Sequence, residues 1–227
     1  MTPADAPGQR RDAGLRADAE RNRERIMEAA RRLFATEGLG VSMASVAREA
    51  GVGKATLSRR FATREELINA VFTDRMDGYV AAIRTALADP DPWHGFVGFI
   101  EAGCAMQAAD RGFAAVLAMR LPAAAELEAR RDECLRGLVE LIGRAKAAGG
   151  LRPDVTPEDV VILLMANAGV VDATGEDAPD AWRRLVGYLL RGFAAPGAPL
   201  PELPRSPDPA VLHRAMVRAG RASAAED

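Results

Sequence analysis

Chemistry-bearing residues are scarce in this 227-residue chain, which has two cysteines, two histidines and only 5% aromatic residues. Cys104 and Cys134 stand alone in helical patterns, which suits two buried thiols in a reducing compartment rather than a disulfide framework. His94 and His213 lie in different segments. There is no HExxH, no paired-cysteine spacing, no GxSxG elbow and no glycine-rich phosphate loop. No catalytic residue, metal ligand or cofactor site can therefore be nominated, and the chain does not read as an enzyme. Glu126, Glu128, Asp132 and Glu133 read as a solvated helix face rather than a ligand set. The apolar run Val160 to Met165 is far short of the ~20 residues needed to span a bilayer, and no secretory leader is legible. The expectation is a soluble, cytoplasmic protein with no membrane partner.

What is present is helix-forming sequence. Hydrophobic residues make up 48% of the chain and are mostly Ala, Leu and Val, which suits all-α packing with few or no strands. Ile26, Ala29, Ala30, Leu33 and Phe34 recur at helical spacing, and Gly38 ends that helix. Another helix starts after Thr63, an N-cap followed by Arg64-Glu65-Glu66, and runs to about Leu87 before Asp89-Pro90-Asp91-Pro92 breaks it. Further helices are expected from about Trp93 to Ala109, Phe113 to Leu121, Ala123 to Ala148, Pro157 to Ala173 and Pro179 to Ala194. Trp93-His94 reads as an anchor for the helix it starts. Residues 1–19 mix Pro, Gly, Asp and Arg without an apolar period and read as a flexible basic arm carrying Arg10, Arg11 and Arg16. Six prolines between Pro196 and Pro209 mark an irregular tail over 197–227. In that tail Val211, Leu212, Ala215, Met216 and Ala219 suit a turn or two of docked helix.

The informative stretch is Ser42 to Phe61, SMASVAREAGVGKATLSRRF. Val46, Ala47 and Ala50 put an apolar stripe on a short helix that Ser42 caps by accepting from the Ser45 N–H. Gly51 supplies a positive φ, Val52 re-enters the core, and a second helix begins near Lys54. Leu57 and Phe61 return to the core at i and i+4. Lys54, Ala55, Thr56, Ser58, Arg59 and Arg60 are left facing outward, as a helix-turn-helix that reads DNA requires.

The run RNRERIMEAARRLFATEGLGVSMASVAREAGVGKATLSRRFATREELINAVF resembles the tetracycline-repressor (TetR) family of transcriptional regulators. That family typically shows a basic lead-in, an AAxxLF helix, a glycine and AxxAGVSxGTLYxxFxxKxxL. The chain differs at Gly53, where Ser often caps the second helix, at Ala55, where Gly is usual, and at Ser58, where a phosphate-contacting Tyr is common. The resemblance implies a three-helix DNA-binding domain over 20–64 and a larger helical effector-binding and dimerisation domain over 65–196. It implies double-stranded operator DNA, a small-molecule effector and a second copy of the chain as partners, and Ser42, Lys54, Ala55, Thr56, Ser58, Arg59 and Arg60 as DNA contacts.

Charge follows the same division. The chain carries 30 basic and 32 acidic side chains; through Arg64 there are 13 and 8, a balance of +5, and the remainder holds 17 and 24, a balance of −7. The basic end is the expected DNA end.

From Val160 to Val171 nearly every residue is apolar, so more than one helix face needs cover. The next helix offers Trp182, Leu185, Val186, Leu189 and Leu190 at helical spacing. An ordinary buried core would account for both helices, but in the family the last two major helices form the dimer bundle, so the resemblance implies an interface of Val160, Leu163, Leu164, Asn167, Val170, Trp182, Leu185 and Leu189. Phe99, Met106, Phe113, Met119 and Met165 are the candidate effector pocket, because methionines adapt to irregular ligands. Glu101, Gln107, Arg120 and Asn167 are polar residues in apolar stretches, each either a pocket group or a surface residue.

Two functions fit: a dimeric repressor released from its operator by a small molecule, or a helical small-molecule carrier or interaction protein that keeps the fold without using DNA. The basic outward face of Lys54, Arg59 and Arg60 favours the repressor. Operator, effector and regulated genes are not written legibly in the sequence.

Overall fold

The structure is a computed structural model that describes residues 7–175 and 177–226, with side chains described for 18–175 and 177–220. The described residues form ten helices: α1 (Pro7–Glu37), α2 (Met43–Glu49), α3 (Lys54–Arg60), α4 (Arg64–Ala88), α5 (Pro92–Ala109), α6 (Arg111–Ala118), α7 (Ala125–Ala147), α8 (Pro157–Thr174), α9 (Ala181–Phe193) and α10 (Pro209–Glu226). The one extended pairing among them is an isolated bridge between Leu151 and Ala194. The chain divides into two compact units between Val71 and Phe72. The boundary falls later than the sequence suggested, because the opening turns of α4, with Leu67, Ile68 and Val71 buried, cluster with the first unit.

In the first unit, α1 buries Ile26, Ala29, Ala30 and Phe34 on one face. Gly38 (φ +80) ends it. α1 starts at Pro7, inside the segment read as a flexible arm. Proline is tolerated in a first helical turn, and the sequence there contains spaced opposite charges rather than an apolar stripe. The i,i+3 pairs Asp18–Arg21 and Glu20–Arg23 illustrate the support such spacing supplies. Residues 1–6 of that segment lie outside the described residues.

The second unit is arranged around α8, which packs against α5, α6, α7, α9 and α10. Its helix ends are locally specified. Asp91 accepts from the Trp93 and His94 N–H groups at 2.9 and 3.2 Å, with Pro92 in the first turn of α5. Asp110 accepts from Phe113 N–H at 3.0 Å, and Thr156 and Asp159 form a capping box at the start of α8. α6 stops at Ala118 rather than Leu121, since Pro122 disfavours helical backbone at the residue before it, and this leaves Met119 and Arg120 in the connection.

The proline-rich tail is irregular but tied down. Its carbonyls have no helical partners, and three accept side-chain donors: Pro199 from Trp93 Nε1 at 2.9 Å, Pro201 from Arg191 Nε at 3.0 Å, and Pro204 from Arg184. Beyond it α10 is a full helix on α8 rather than a turn or two. Ala215 is the docked residue, whereas Met216 is exposed.

Gly95 marks the closest backbone approach. A Cβ there would sit 2.4 Å from the Ala86 carbonyl oxygen, while one on Gly98 would meet nothing within 4 Å. Gly95→Ala should destabilise the protein by about 1–3 kcal/mol in denaturant unfolding. Gly98→Ala should be neutral or stabilising by up to ~1 kcal/mol. A neutral Gly95→Ala would contradict the packing described.

Candidate nucleic-acid interface and ligand cavity

The first unit brings the expected DNA contacts onto one surface. Gly51 takes φ +62 between α2 and α3, and Leu57 and Phe61 anchor α3 in the core. Lys54, Ala55, Ser58, Arg59 and Arg60 are therefore exposed, with Thr56 half-buried beside them. Ser42 is exposed at the start of α2, where its Oγ accepts from Ser45 N–H at 3.0 Å and exchanges a hydrogen bond with Ser45 Oγ at 2.9 Å. Its first role is thus a cap.

The charges on this unit are not distributed evenly. On α1, Arg21, Arg23, Arg31 and Arg32 are each paired with a carboxylate, Arg32 with both Glu28 and Glu49. Lys54, Arg59 and Arg60 form no ion pair among the described residues; the polar neighbour of Arg59 is Thr56 Oγ1, 3.5 Å away. These three cations, spread around the exposed part of α3, leave that surface positively charged.

Two positioning residues escaped the sequence reading. Arg25 reaches from α1 to donate to the Ala50 carbonyl at 2.8 Å and the Gly51 carbonyl at 3.3 Å, satisfying the end of α2 where the turn begins. Arg23 lies over the Phe61 ring, 5.7 Å from its centroid, at the end of α3. The available signal was position: both border the Ile26–Ala29–Ala30 stripe.

The second unit contains a cavity of about 230 Å³. Met76 and Tyr79 of α4, Phe99 of α5, Cys134 and Leu138 of α7 and Leu164 of α8 line it, with Met119, Arg120 and Arg131 also on its wall. Of the five expected pocket residues, Phe99 and Met119 are there. Met106 lies against Gly78, Phe113 is fully buried with its ring 6.4 Å from that of Phe72, and Met165 is on the outside of α8. None of these three lines the cavity. Burial pushes the Cys134 thiol up to about 12, so it stays a protonated, inert wall group.

The four ambiguous polar residues divide. Glu101 is exposed and Arg120 is at the cavity. Gln107 and Asn167 are fully buried between α5 and α8. There Asn167 Nδ2 donates to Gln107 Oε1 at 2.8 Å and to the Cys104 carbonyl at 3.3 Å.

The residues assigned to a dimer interface largely face inward. Val160, Leu163, Leu164, Asn167 and Trp182 are buried within a single copy, while Val170, Leu185 and Leu189 are half-buried. A helix that is apolar all round has no period from which to choose a face. The exposed side of α8 carries Val161, Ile162 and Met165, the last two more than half exposed, and α9 adds exposed Tyr188.

Among the described residues no group of His, Cys, Asp and Glu is placed to hold a metal, and no helix is long and apolar enough to cross a membrane. A helix-turn-helix unit with a cationic second helix, followed by a helical unit that carries an apolar cavity open at one side, is the arrangement of a class of DNA-binding regulators. Comparison with known proteins agrees. Residues 26–71 match the family model for bacterial regulatory proteins of the tetR family, and residues 91–195 match the SbtR-like transcriptional regulator C-terminal domain. The chain belongs to the TetR family of transcriptional regulators.

An HTH-type transcriptional regulator of Staphylococcus aureus is 39% identical over 67 residues, 29% of this chain; the match spans 36% of that curated relative's length. A TetR transcription regulatory protein from Mycobacterium vanbaalenii is 34% identical over 80% of this chain and 99% of its own, with a TM-score of 0.45. The ketosteroid transcriptional regulator KstR2 of Mycobacterium tuberculosis shares the fold at 20% identity, covering 76% of this chain and 94% of its own with a TM-score of 0.58.

Ser42→Ala should cost about 1 kcal/mol of stability in denaturant unfolding, and Ser42→Asp, which preserves a cap acceptor, should cost little. Equal stability of all three proteins would remove the capping role.

Proposed function

We propose that the protein is a one-component repressor that binds a near-palindromic operator as a dimer and leaves it when a small molecule occupies the cavity. The observation that carries this reading is the set of unpaired cations Lys54, Arg59 and Arg60 on the exposed face of α3, behind a turn built around Gly51. A carrier protein has no physical need for such a face. α3 enters the major groove, with Lys54, Ala55 and Thr56 near base edges and Ser42, Ser58, Arg59 and Arg60 at phosphates. Because Ser58 has no ring, its contribution is a single hydroxyl. An operator on the chromosome as the target supports a cytoplasmic location.

The dimer uses the exposed side of α8, through Val161, Ile162 and Met165, with Tyr188 of α9. Val170, Leu185 and Leu189 lie at its margin, and the buried residues behind it hold the helices in position. The cavity wall includes Met76 and Tyr79 of α4, a single helix whose first turns belong to the DNA-reading unit. A ligand that moves α4 therefore acts on both units, and a coupling of ~1–3 kcal/mol would lower operator affinity roughly 5- to 150-fold.

Sequencing fragments enriched by the purified protein should return a two-fold-related motif; enrichment of random sequence would sink the regulator reading. On that operator, Arg59→Ala with Arg60→Ala should weaken binding and reduce the salt slope by about 0.9 for each phosphate no longer neutralised, and an unchanged slope would count against their phosphate role. Wild-type protein should scatter light as a dimer at micromolar concentration, while Ile162→Asp with Met165→Asp should be a folded monomer. A double variant that remains dimeric would reassign the interface.

A further inference from the structure

We propose that the cavity selects a small, neutral, mostly apolar molecule carrying one hydrogen-bond acceptor, a ketone, ester or lactone carbonyl, and that the Tyr79 hydroxyl is the group that recognises it. This rests on the reading that the cavity takes the effector, and it specifies what that effector is.

Size comes first. At about 230 Å³ the cavity is below the ~300–1,000 Å³ of sites for drug-sized ligands, and it is open at a mouth where Met119, Leu135 and Val161 are exposed. The wall is dominated by Met, Leu, Val and Phe side chains, so the occupant is largely apolar.

Charge comes next. Arg120 and Arg131 would suit a carboxylate if they were free, but both are engaged. Arg131 donates to the Leu117 carbonyl at 3.0 Å, to the Val116 carbonyl and to Glu128 at 3.3 Å. Arg120 pairs with Glu128 at 2.9 Å and with Asp132 at 3.6 Å. Two arginines against two carboxylates leave the rim with no net charge, so an anionic ligand meets no unneutralised cation there.

That leaves Tyr79. It is 8% exposed, and its ring is held between Phe99, with centroids 5.1 Å apart, and Gly103, whose position leaves no room for a side chain without contact at 3.1 Å. No described residue hydrogen-bonds its hydroxyl. The ring is immobilised on the cavity wall while its hydroxyl, without a protein partner among the described residues, is not sealed off, so it is open to an acceptor that enters the cavity. Burial raises its pKa well above the ordinary tyrosine range, so it remains protonated at any physiological pH.

Three probes of equal skeleton test the assignment by calorimetry on the full chain: 4-phenyl-2-butanone, 3-phenylpropanoate and (3-methylbutyl)benzene. The ketone should bind more tightly than both the carboxylate and the hydrocarbon. Tyr79→Phe, which keeps the ring, should weaken the ketone roughly 2- to 10-fold, the contribution of one neutral hydrogen bond, and leave the hydrocarbon unchanged. Preference for the carboxylate, a ketone advantage that survives in Tyr79→Phe, or no binding of any probe would each overturn the proposal. Fragment enrichment on the same preparation separates this from the regulator reading: failure to select an operator removes that reading without altering the ranking of the probes.

Discussion

The surface proposed to read DNA depends on how the chain turns between α2 and α3. Gly51 takes a positive φ that a side chain would strain, and the carbonyls exposed by ending α2 there are satisfied by Arg25 from α1. Without that donor the Ala50 and Gly51 carbonyls at the turn would lose a charge-assisted partner worth ~1.5–3 kcal/mol, and the angle of α3 would rest on Leu57, on Phe61 under Arg23 and on the Val52 N–H bond to the Ala47 carbonyl. With it, the small core of the first unit and the direction of Lys54, Arg59 and Arg60 become one arrangement. The cations are exposed because the apolar side of the same helix is anchored, and among the described residues no carboxylate pairs with them; Glu28 and Glu49 are engaged by Arg31 and Arg32.

In the second unit the organising element is α8, which serves two solvents. Its inner side packs Val160, Leu163 and Leu164, each of which contributes about 1.5–3 kcal/mol on full burial. Its outer side leaves Ile162 and Met165 in water. Asn167 sets the rotation between these sides, because its Nδ2 donates to Gln107 Oε1 and the Cys104 carbonyl on α5, and a turned helix would lose both hydrogen bonds.

This explains what the sequence disclosed. The helix-turn-helix was legible because its information is local: Ser42 as cap, Gly51 as turn and Leu57 with Phe61 at i and i+4 all lie within twenty residues. The all-α class and most helix ends were legible for the same reason, since caps such as Thr63 and stops such as Gly149 act within a turn or two. The start of α1 was hidden because charge spacing without an apolar stripe resembles a solvated coil. The faces of α8 were hidden because no period distinguishes them, and Asn167 gives no local sign of facing inward when its partners are some sixty positions away. The cavity was half legible: methionine content pointed to it, but which methionines converge depends on packing between α4, α7 and α8. Tyr79 and Cys134 carry no local mark of their meeting.

The position of Tyr79 also limits how a ligand can act. Met76 and Tyr79 are one turn apart on α4, so a molecule against both presses on one stretch of that helix rather than on the unit as a whole. A single neutral hydrogen bond contributes ~0.5–1.5 kcal/mol and each buried methylene ~0.8 kcal/mol. A coupling of ~1–3 kcal/mol is therefore within reach of a molecule this small only if most of what it gains is gained in one of the two conformations of α4. An occupant that merely fills the cavity equally well in both states would stabilise the fold and leave the DNA affinity unchanged. Selectivity for an acceptor placed at Tyr79 is the feature that ties binding energy to the setting of the helix, because a hydrogen bond tolerates displacement far less than apolar contact does.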